Sequence, residues 1–236
     1  MKANTSPNYY RHRFPQDIIS YAIWLYYRFC LSFRDAEDLL AQRGIIVTYE
    51  TIRQWCQKLG TEYVRRLRHR QARLGDIWHL DELFVTIRGK RHYLWRTVDQ
   101  DGDVIDILLQ PRRDQHAAER FFRKLLKGQG RVPWQLITDK LRSYNAVHRT
   151  VMPSVIHNTK LYANHRAEVS HEPTRQRERQ MRGFKSARQA QRFLSIHGVV
   201  QNLFRLGRHL LKAATYRILR NCSFPDLERS NLRLLS

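Results

Sequence analysis

Cysteine is scarce in this sequence and forms no ligand pattern. The 236 residues include only three cysteines, Cys30, Cys56 and Cys222. They are far apart and odd in number, and no Cys-x-x-Cys pair occurs, which argues against a zinc site of the usual kind despite 11 histidines. We expect buried or free thiols in a reducing compartment.

Long hydrophobic runs are also missing. The apolar run at residues 18–27 is too short to cross a bilayer and stops at Arg28. The first residues hold no apolar signal core. Neither a basic amphipathic helix nor a lipid-attachment motif is found, so the sequence predicts a cytoplasmic protein with no membrane partner.

Acidic residues are few compared with basic ones. The chain has 21 Asp and Glu against 43 Lys and Arg, a formal net charge of +22. Such a charge predicts a polyanionic partner, and nucleic acid is the first candidate because Lys and Arg displace counterions from phosphates. More than half of the acidic residues, 11 of 21, lie within residues 76–168. We therefore expect basic segments that bind the polyanion and a central segment that reacts.

Three helical patterns fill the first quarter of the chain. The first covers residues 15–30, and the second starts after the N-cap candidate Ser32, with Asp35 three residues on. Its apolar positions are Ala36, Leu39 and Leu40, and the third helix starts after Thr48 with an apolar stripe at i, i+3, i+4 and i+7. Helices joined by a Gly-containing turn indicate a helix-turn-helix. A plain three-helix bundle remains the alternative.

Basic and polar residues in and after the third helix are candidates for DNA contact. Arg53, Gln54 and Lys58 lie off its apolar stripe, together with Tyr49 and Glu50, and would face a major groove in the helix-turn-helix interpretation. The basic run at residues 65–73 suits a linker that follows a phosphate backbone, through Arg65, Arg66 and Arg68. A solvated charged surface is the alternative for this run.

The central segment changes to the two-residue period of β-strands. Residues 77–87 alternate, and strands at 92–99 and 104–110 follow after turns. A helix capped by Asp114, a strand at 134–139, a helix and a last short strand complete the order β-β-β-α-β-α-β, and further helices come after it. This order predicts a mixed α/β sheet.

Two aspartates stand out against these strands. Asp81 lies in the middle of the first strand, and Asp139 ends the fourth. If the two strands are neighbours, the carboxylates meet, and two adjacent carboxylates cannot both ionise without a compensating charge. Mg²⁺ prefers such hard oxygen ligands. Otherwise Asp81 is a hydrogen-bonded strand residue and Asp139 a turn residue. Glu82 points to the opposite strand face, and we expect it to be structural, paired with an arginine such as Arg96.

Several motifs together resemble the DDE transposases of bacterial insertion sequences, and most of all the insertion-sequence-6 family. The resemblance runs from the three helices to about residue 211. It implies an α/β ribonuclease H-like mixed-sheet catalytic core preceded by an all-α helix-turn-helix domain. The motifs that carry it are "WHLDE" (78–82), "GKRHYLWRTVDQDGDVIDILL" (89–109), "ITDK" (137–140), "ANHRAEVSH" (163–171) and "RGFKS" (182–186).

The resemblance also implies a catalytic triad. By motif its members are Asp81, Asp139 and Glu168, which would bind Mg²⁺, two ions per site, with Mn²⁺ able to substitute. The family's basic residue seven positions after the Glu falls on Arg175. The sequence departs from the family at His165, where a second Asn is usual, and in the short interval of 28 residues between Asp139 and Glu168. Glu172 and Glu178 therefore stay open as the third acid.

The resemblance sets the expected organisation and partners. We expect a helix-turn-helix domain at residues 1–62, a basic linker at 63–75, a catalytic domain at 76–212 and a C-terminal tail at 213–236. The family binds double-stranded DNA, both the element ends and the target, as a homodimer or a higher synaptic assembly. A bacterial cytoplasmic protein of this kind is associated with the nucleoid when it is bound to DNA.

Two other functions are compatible with parts of the sequence. A non-catalytic helix-turn-helix regulator explains the charge and the first helices, but it leaves the three acids without a role. A tyrosine recombinase, suggested by the 11 tyrosines, uses a nucleophilic Tyr and no metal, and forms a covalent 3′-phosphotyrosyl adduct. Metal-dependent nicking of DNA that carries the element ends distinguishes the transposase from both.

Overall fold

The computed structural model describes residues 13–68, 75–139, 142–160 and 163–204, together with residues 212 and 214. The chain divides into two compact units, one of residues 1–71 and 199–236 and one of residues 72–198. Cys222, residues 69–74 of the expected linker and nearly all of the expected tail lie outside the described residues. The same holds for the side chains of Arg66 and Arg68.

The described part of the first unit contains the three expected helices. They are α1 (Gln16–Arg28), α2 (Phe33–Ala41) and α3 (Tyr49–Arg68). Helix α2 begins with a capping box, in which the Ser32 hydroxyl accepts from the Asp35 N–H and the Asp35 carboxylate accepts from the Ser32 N–H. Leu39, predicted as part of its apolar stripe, is 40% exposed; its place lies at the edge of the buried face that Ala36 and Leu40 form.

Helix α3 is longer than the sequence predicted. The Thr48 hydroxyl accepts from the Thr51 N–H at the start of the helix, as expected. The helix then continues to Arg68, so residues 63–68, assigned above to the linker, are helical. The reason is that Tyr63, Val64 and Leu67 are buried and prolong the apolar stripe by two turns.

The second unit is built on a five-stranded mixed sheet. Its strands are β1 (Ile77–Ile87), β2 (Lys90–Asp99), β3 (Val104–Gln110), β4 (Gln135–Thr138) and β5 (Ile156–Asn158), in the order β3-β2-β1-β4-β5. Strands β1, β2 and β3 pair antiparallel, whereas β1 with β4 and β4 with β5 pair parallel. This order and these directions confirm the expected ribonuclease H-like sheet.

Helices cover this sheet. They are α4 (Gln115–Gln129), α5 (Arg142–Val151), α6 (His165–Ser170), α7 (Glu172–Gln180) and α8 (Ala187–Leu203), and α8 belongs to the second unit up to Gly198. The predicted cap of α4 is present, since the Asp114 carboxylate accepts from the Ala117 N–H at 2.8 Å. The main core lies where α4 and α5 pack on the sheet, around Trp78, Trp95 and Phe121.

None of the described helices combines the length and the apolar character that crossing a bilayer requires.

The capping box of α2 yields a stability prediction. Replacing Ser32 with Ala removes the acceptor for the Asp35 N–H, so the free energy of unfolding should fall by about 1 kcal/mol. The free energy of unfolding of Ser32→Asn, which retains a capping acceptor, should fall by much less. Urea unfolding followed by circular dichroism measures both. Equal stability of Ser32→Ala and the unmodified chain would contradict a contribution from this cap.

Candidate active site

The parallel pairing of β1 with β4 brings two predicted acids together. Leu80 of β1 is in register with Thr138 of β4, and the next residue on each strand is Asp81 and Asp139. Carboxylate oxygens of Asp81, Glu82 and Asp139 all lie within 4.8 Å of one another. The structure therefore joins the two aspartates, as the sequence predicted, and adds Glu82 to them.

Asp81 is placed where its charge is unfavourable. Its side chain is 17% exposed, and the pKa of its carboxyl is raised to about 7. Burial is the main cause, because it disfavours the charged form, and the nearby acids add to the rise in pKa. The backbone N–H of Glu82, which donates to Asp81 Oδ1 at 2.8 Å, opposes it. A cation bound here would relieve this cost.

The imidazole of His171 lies close to Asp81. Its Nε2 lies 3.9 Å from Asp81 Oδ2. The pKa of His171 is lowered to about 3, first by burial and then by the positive charges of Arg96 and Arg175. The imidazole is therefore neutral at neutral pH, and the contact is not an ion pair. His171 lies inside the motif at 163–171, but nothing in the sequence distinguished it from its neighbours.

Glu82 is buried and tightly bound. Arg113 forms an ion pair with it, and the Tyr144 hydroxyl donates to its carboxylate. Burial raises the pKa of Glu82, and the bonds from Tyr144 and Arg113 oppose the rise. Arg96, suggested above as a partner of Glu82, donates to the Thr174 hydroxyl at 2.9 Å. Sequence reasoning missed Arg113 because it lies in the loop after β3, where no periodicity marks a residue.

Glu168 stands outside the close group of carboxylates. It lies in the first turn of α6, its side chain is 66% exposed, and its nearest partner is His165 Nδ1 at 3.4 Å. Its negative charge nevertheless contributes to the raised pKa of Asp81. Asn164, just before the helix, is buried and donates to the carbonyl of Leu80 at 2.9 Å. This bond ties the start of α6 to β1 beside Asp81.

The other candidates for the third acid belong to a different helix. A break at His171 separates α6 from α7, and Pro173 occupies the first turn of α7. Glu172 is exposed at the start of α7, and Glu178 is half-buried further along it. Burial raises the pKa of Glu178. Glu172 thus shares no continuous helix face with Glu168.

The predicted DNA-contacting residues are distributed over both units. Arg53 donates to both carboxylate oxygens of Glu50, at 2.8 and 2.6 Å, while Gln54 and Lys58 are exposed on the same helix. Arg65 is paired with Glu62 at 2.7 Å. Arg175 is exposed on α7. The acids and the predicted recognition residues therefore occupy separate units.

The donor set of the acidic group fits a hard divalent cation. All three side chains offer carboxylate oxygens, which Mg²⁺ prefers to nitrogen or sulfur. Glu82 is occupied by Arg113 and Tyr144. Asp81 and Asp139, whose side chains are 17% and 39% exposed, are the more exposed members of the group.

The raised pKa of Asp81 predicts a pH-dependent stability in metal-free buffer. An unfolded Asp has a pKa of about 3.9, so between about pH 4 and 7 the folded chain binds more protons than the unfolded chain. Its free energy of unfolding therefore falls as the pH rises through this window. Asp81→Asn removes this loss, and at pH 8 in EDTA it should be more stable than the unmodified chain by about 2–4 kcal/mol, at about 1.4 kcal/mol per pKa unit.

Urea unfolding at pH 4 and pH 8 tests this prediction, with the exposed turn variant Asp101→Asn as the control. The advantage of Asp81→Asn should largely disappear at pH 4. The same advantage at both pH values would show that it does not come from ionisation.

Comparisons with known proteins agree with this geometry. A family model described as "DDE domain" matches residues 75–206. The chain is 32% identical over 170 residues to the transposase for insertion sequence-like element IS431mec of Staphylococcus aureus, covering 70% of this chain and 75% of that protein. The transposase for insertion sequence element IS257 in transposon Tn4003, also from S. aureus, matches with the same identity and coverage.

Two catalytic domains are among the solved structures that the chain is similar to. The catalytic core of BIV integrase has a TM-score of 0.41 at 12% identity and covers 64% of this chain and 97% of its own. The catalytic domain of Mos1 mariner transposase has a TM-score of 0.41 at 14% identity, covering 74% and 92%. The family match spans more than half of the sequence, and the chain therefore belongs to the DDE transposases of bacterial insertion sequences, in the insertion-sequence-6 family.

Proposed function

We propose that this transposase binds the terminal inverted repeats of its element with its helical unit. It cuts and joins DNA strands with Asp81, Asp139 and Glu168 as its catalytic residues. One observation carries the catalytic part: the parallel register of β1 and β4 sets Asp81 beside Asp139. A non-catalytic regulator has no need for two carboxylates crowded in this way, which costs folding free energy.

In this proposal Asp81 and Asp139 hold a divalent cation, Mg²⁺ with two ions per site, which Mn²⁺ can replace. A bound ion supplies charge stabilisation at the scissile phosphate and activates the attacking hydroxyl. The protein's part is to present the ligands in the ionised form. Because Asp81 has a pKa of about 7, it must release a proton when the ion binds, so metal affinity rises with pH.

Glu168 completes the triad for three reasons. Its charge acts on Asp81, it lies in the first turn of α6, and Asn164 fixes the start of that helix to the active-site strand. Its exposure leaves it able to turn toward a bound ion. Glu172 is the weaker candidate because it begins a separate helix beyond the break at His171.

The partner we propose is double-stranded DNA, as element ends and as target. Arg53, Gln54 and Lys58 would read bases from α3, and Arg65, Arg66, Arg68 and Arg175 would contact phosphates. Arg53 would have to exchange Glu50 for a base when it binds. Simultaneous capture of two element ends calls for a homodimer or a larger synaptic assembly, acting in the bacterial cytoplasm at the nucleoid.

The identity of the third acid is tested by two isosteric changes. Glu168→Gln should lower Mg²⁺-dependent cleavage and strand transfer by about 100-fold or more, the scale of losing one preorganised electrostatic group, while repeat binding persists. Glu172→Gln, the matched control four residues on, should keep most of the activity. Gel assays with labelled element ends measure cleavage, transfer and binding separately.

The variants distinguish a different third ligand from the absence of a metal mechanism. An inactive Glu172→Gln with an active Glu168→Gln would move the third ligand to α7 and leave the metal mechanism intact. Full activity of Asp81→Asn or Asp139→Asn would remove the mechanism itself.

End recognition by α3 gives the next prediction. The double change Arg53→Ala and Gln54→Ala should reduce the preference for terminal repeats over random DNA, because each base contact contributes about 1–3 kcal/mol. Arg65→Ala, the control on the same helix, should weaken binding to both DNAs alike, since a phosphate contact carries no sequence information. Fluorescence anisotropy at fixed salt measures both affinities. An unchanged preference in the double variant would contradict recognition by this helix.

A further inference from the structure

The side chain of Arg113 places a positive charge among the crowded carboxylates. Arg113 Nη2 contacts Glu82 Oε1 and lies 3.5 Å from Asp139 Oδ2. Asp81 is the third carboxylate of this group, whose oxygens all lie within 4.8 Å of one another. A guanidinium thus lies between the buried Glu82 and the half-buried Asp139.

The two ends of this contact differ in burial and in distance. The Glu82 side chain is 2% exposed, and Tyr144, fully buried, donates its hydroxyl proton to it. Losing Arg113 would leave the buried Glu82 carboxylate without its compensating charge, which is strongly destabilising. The Asp139 side, by contrast, is 39% exposed, and its 3.5 Å separation from Arg113 is long for a charge-assisted hydrogen bond. Arg113 therefore belongs to Glu82 firmly and to Asp139 loosely.

The backbone of Arg113 is also held in place. The next residue, Asp114, caps α4 by accepting from the Ala117 N–H. This helix packs on the sheet through Phe121, which contacts Trp95, and on α5 through Phe122, which contacts Tyr144. Arg113 is thus presented to the acids by a rigid element, and its side chain is 33% exposed.

A guanidinium in this place meets the requirement that a divalent ion meets in the loaded site. Adjacent carboxylates repel one another, and a cation within about 4–6 Å stabilises their charged forms. We propose that Arg113 is a positioning residue, a resident cation that holds Asp139 beside Asp81 until a divalent ion binds and then gives up Asp139 to the ion while keeping Glu82. This inference rests on the proposed metal site at Asp81 and Asp139.

Competition for Asp139 has a consequence that simple structural support does not. Removing the guanidinium charge should lower the free energy of unfolding of the metal-free protein, because Glu82 loses its partner. The same change should tighten divalent-ion binding, because the ion no longer displaces a cation. A residue that only supports the fold would lower stability and leave metal affinity equal or weaker.

The experiment measures Mn²⁺ binding by the full chain without DNA, by electron paramagnetic resonance, and urea unfolding in EDTA. Arg113→Gln should bind Mn²⁺ about tenfold more tightly, on the scale by which groups beside metal ligands change affinity, and should unfold at lower urea. Arg113→Lys keeps the charge and should stay close to the unmodified chain. Arg112→Gln, which removes the same charge from the exposed neighbouring residue, should change affinity by less than Arg113→Gln.

A second comparison covers the case in which Arg113→Gln does not fold. The double change Glu82→Gln and Arg113→Gln removes both charges of the pair, so position 82 carries no uncompensated buried charge. It should bind Mn²⁺ more tightly than Glu82→Gln alone, since only the resident cation differs between them.

Three results decide the matter. Equal or weaker Mn²⁺ binding in Arg113→Gln and in the double variant would overturn the role of Arg113 and leave the metal site standing. Binding by Asp81→Asn as tight as by the unmodified chain would overturn the proposed metal site, and this inference with it. Tighter binding together with lower metal-free stability supports both.

Discussion

The parallel pairing of β1 with β4 is the contact on which the candidate active site depends. Two strands far apart in the chain share a register in which Leu80 faces Thr138, so the acids that follow them become neighbours. Parallel strands need a long crossover between them, and here the β2–β3 hairpin and α4 supply it. The core between α4, α5 and the sheet holds that crossover in place. A register shift of one residue would turn Asp81 to the other face.

Electrostatic repulsion and burial destabilise the ionised acids of this site. The fold buries Asp81 and Glu82 beside Asp139 in a chain of net charge +22. Among the described residues, Arg113 compensates the charge of Glu82, whereas the pKa of Asp81 stays raised. Sites that bind a cation often retain such unfavourable charge in its absence, because the same repulsion adds to the affinity for the ion.

The first helices and the third acid show how far local pattern reaches. The three N-terminal helices, the Ser32 cap and the succession of strands β1 to β5 along the chain followed from period, capping and turn residues, and the structure agrees with them. Where local signals were weak the outcome differed. Helix α3 runs on to Arg68 because its buried stripe continues within a basic sequence. By contrast, Pro173 marks the break between α6 and α7 in the sequence, because proline fits the first turn of a helix better than its interior.

The sequence by itself determined the secondary structure, the basic character and the two aspartates, because these depend on local period, composition and residue type. Only the tertiary structure decided what surrounds those aspartates. Strand pairing brought Glu82 into their group although it alternates to the opposite face, and the loop after β3 delivered Arg113 to it from 31 residues further along the chain. Long-range contacts of this kind leave no periodic trace, since each involves one residue whose neighbours in sequence have other roles.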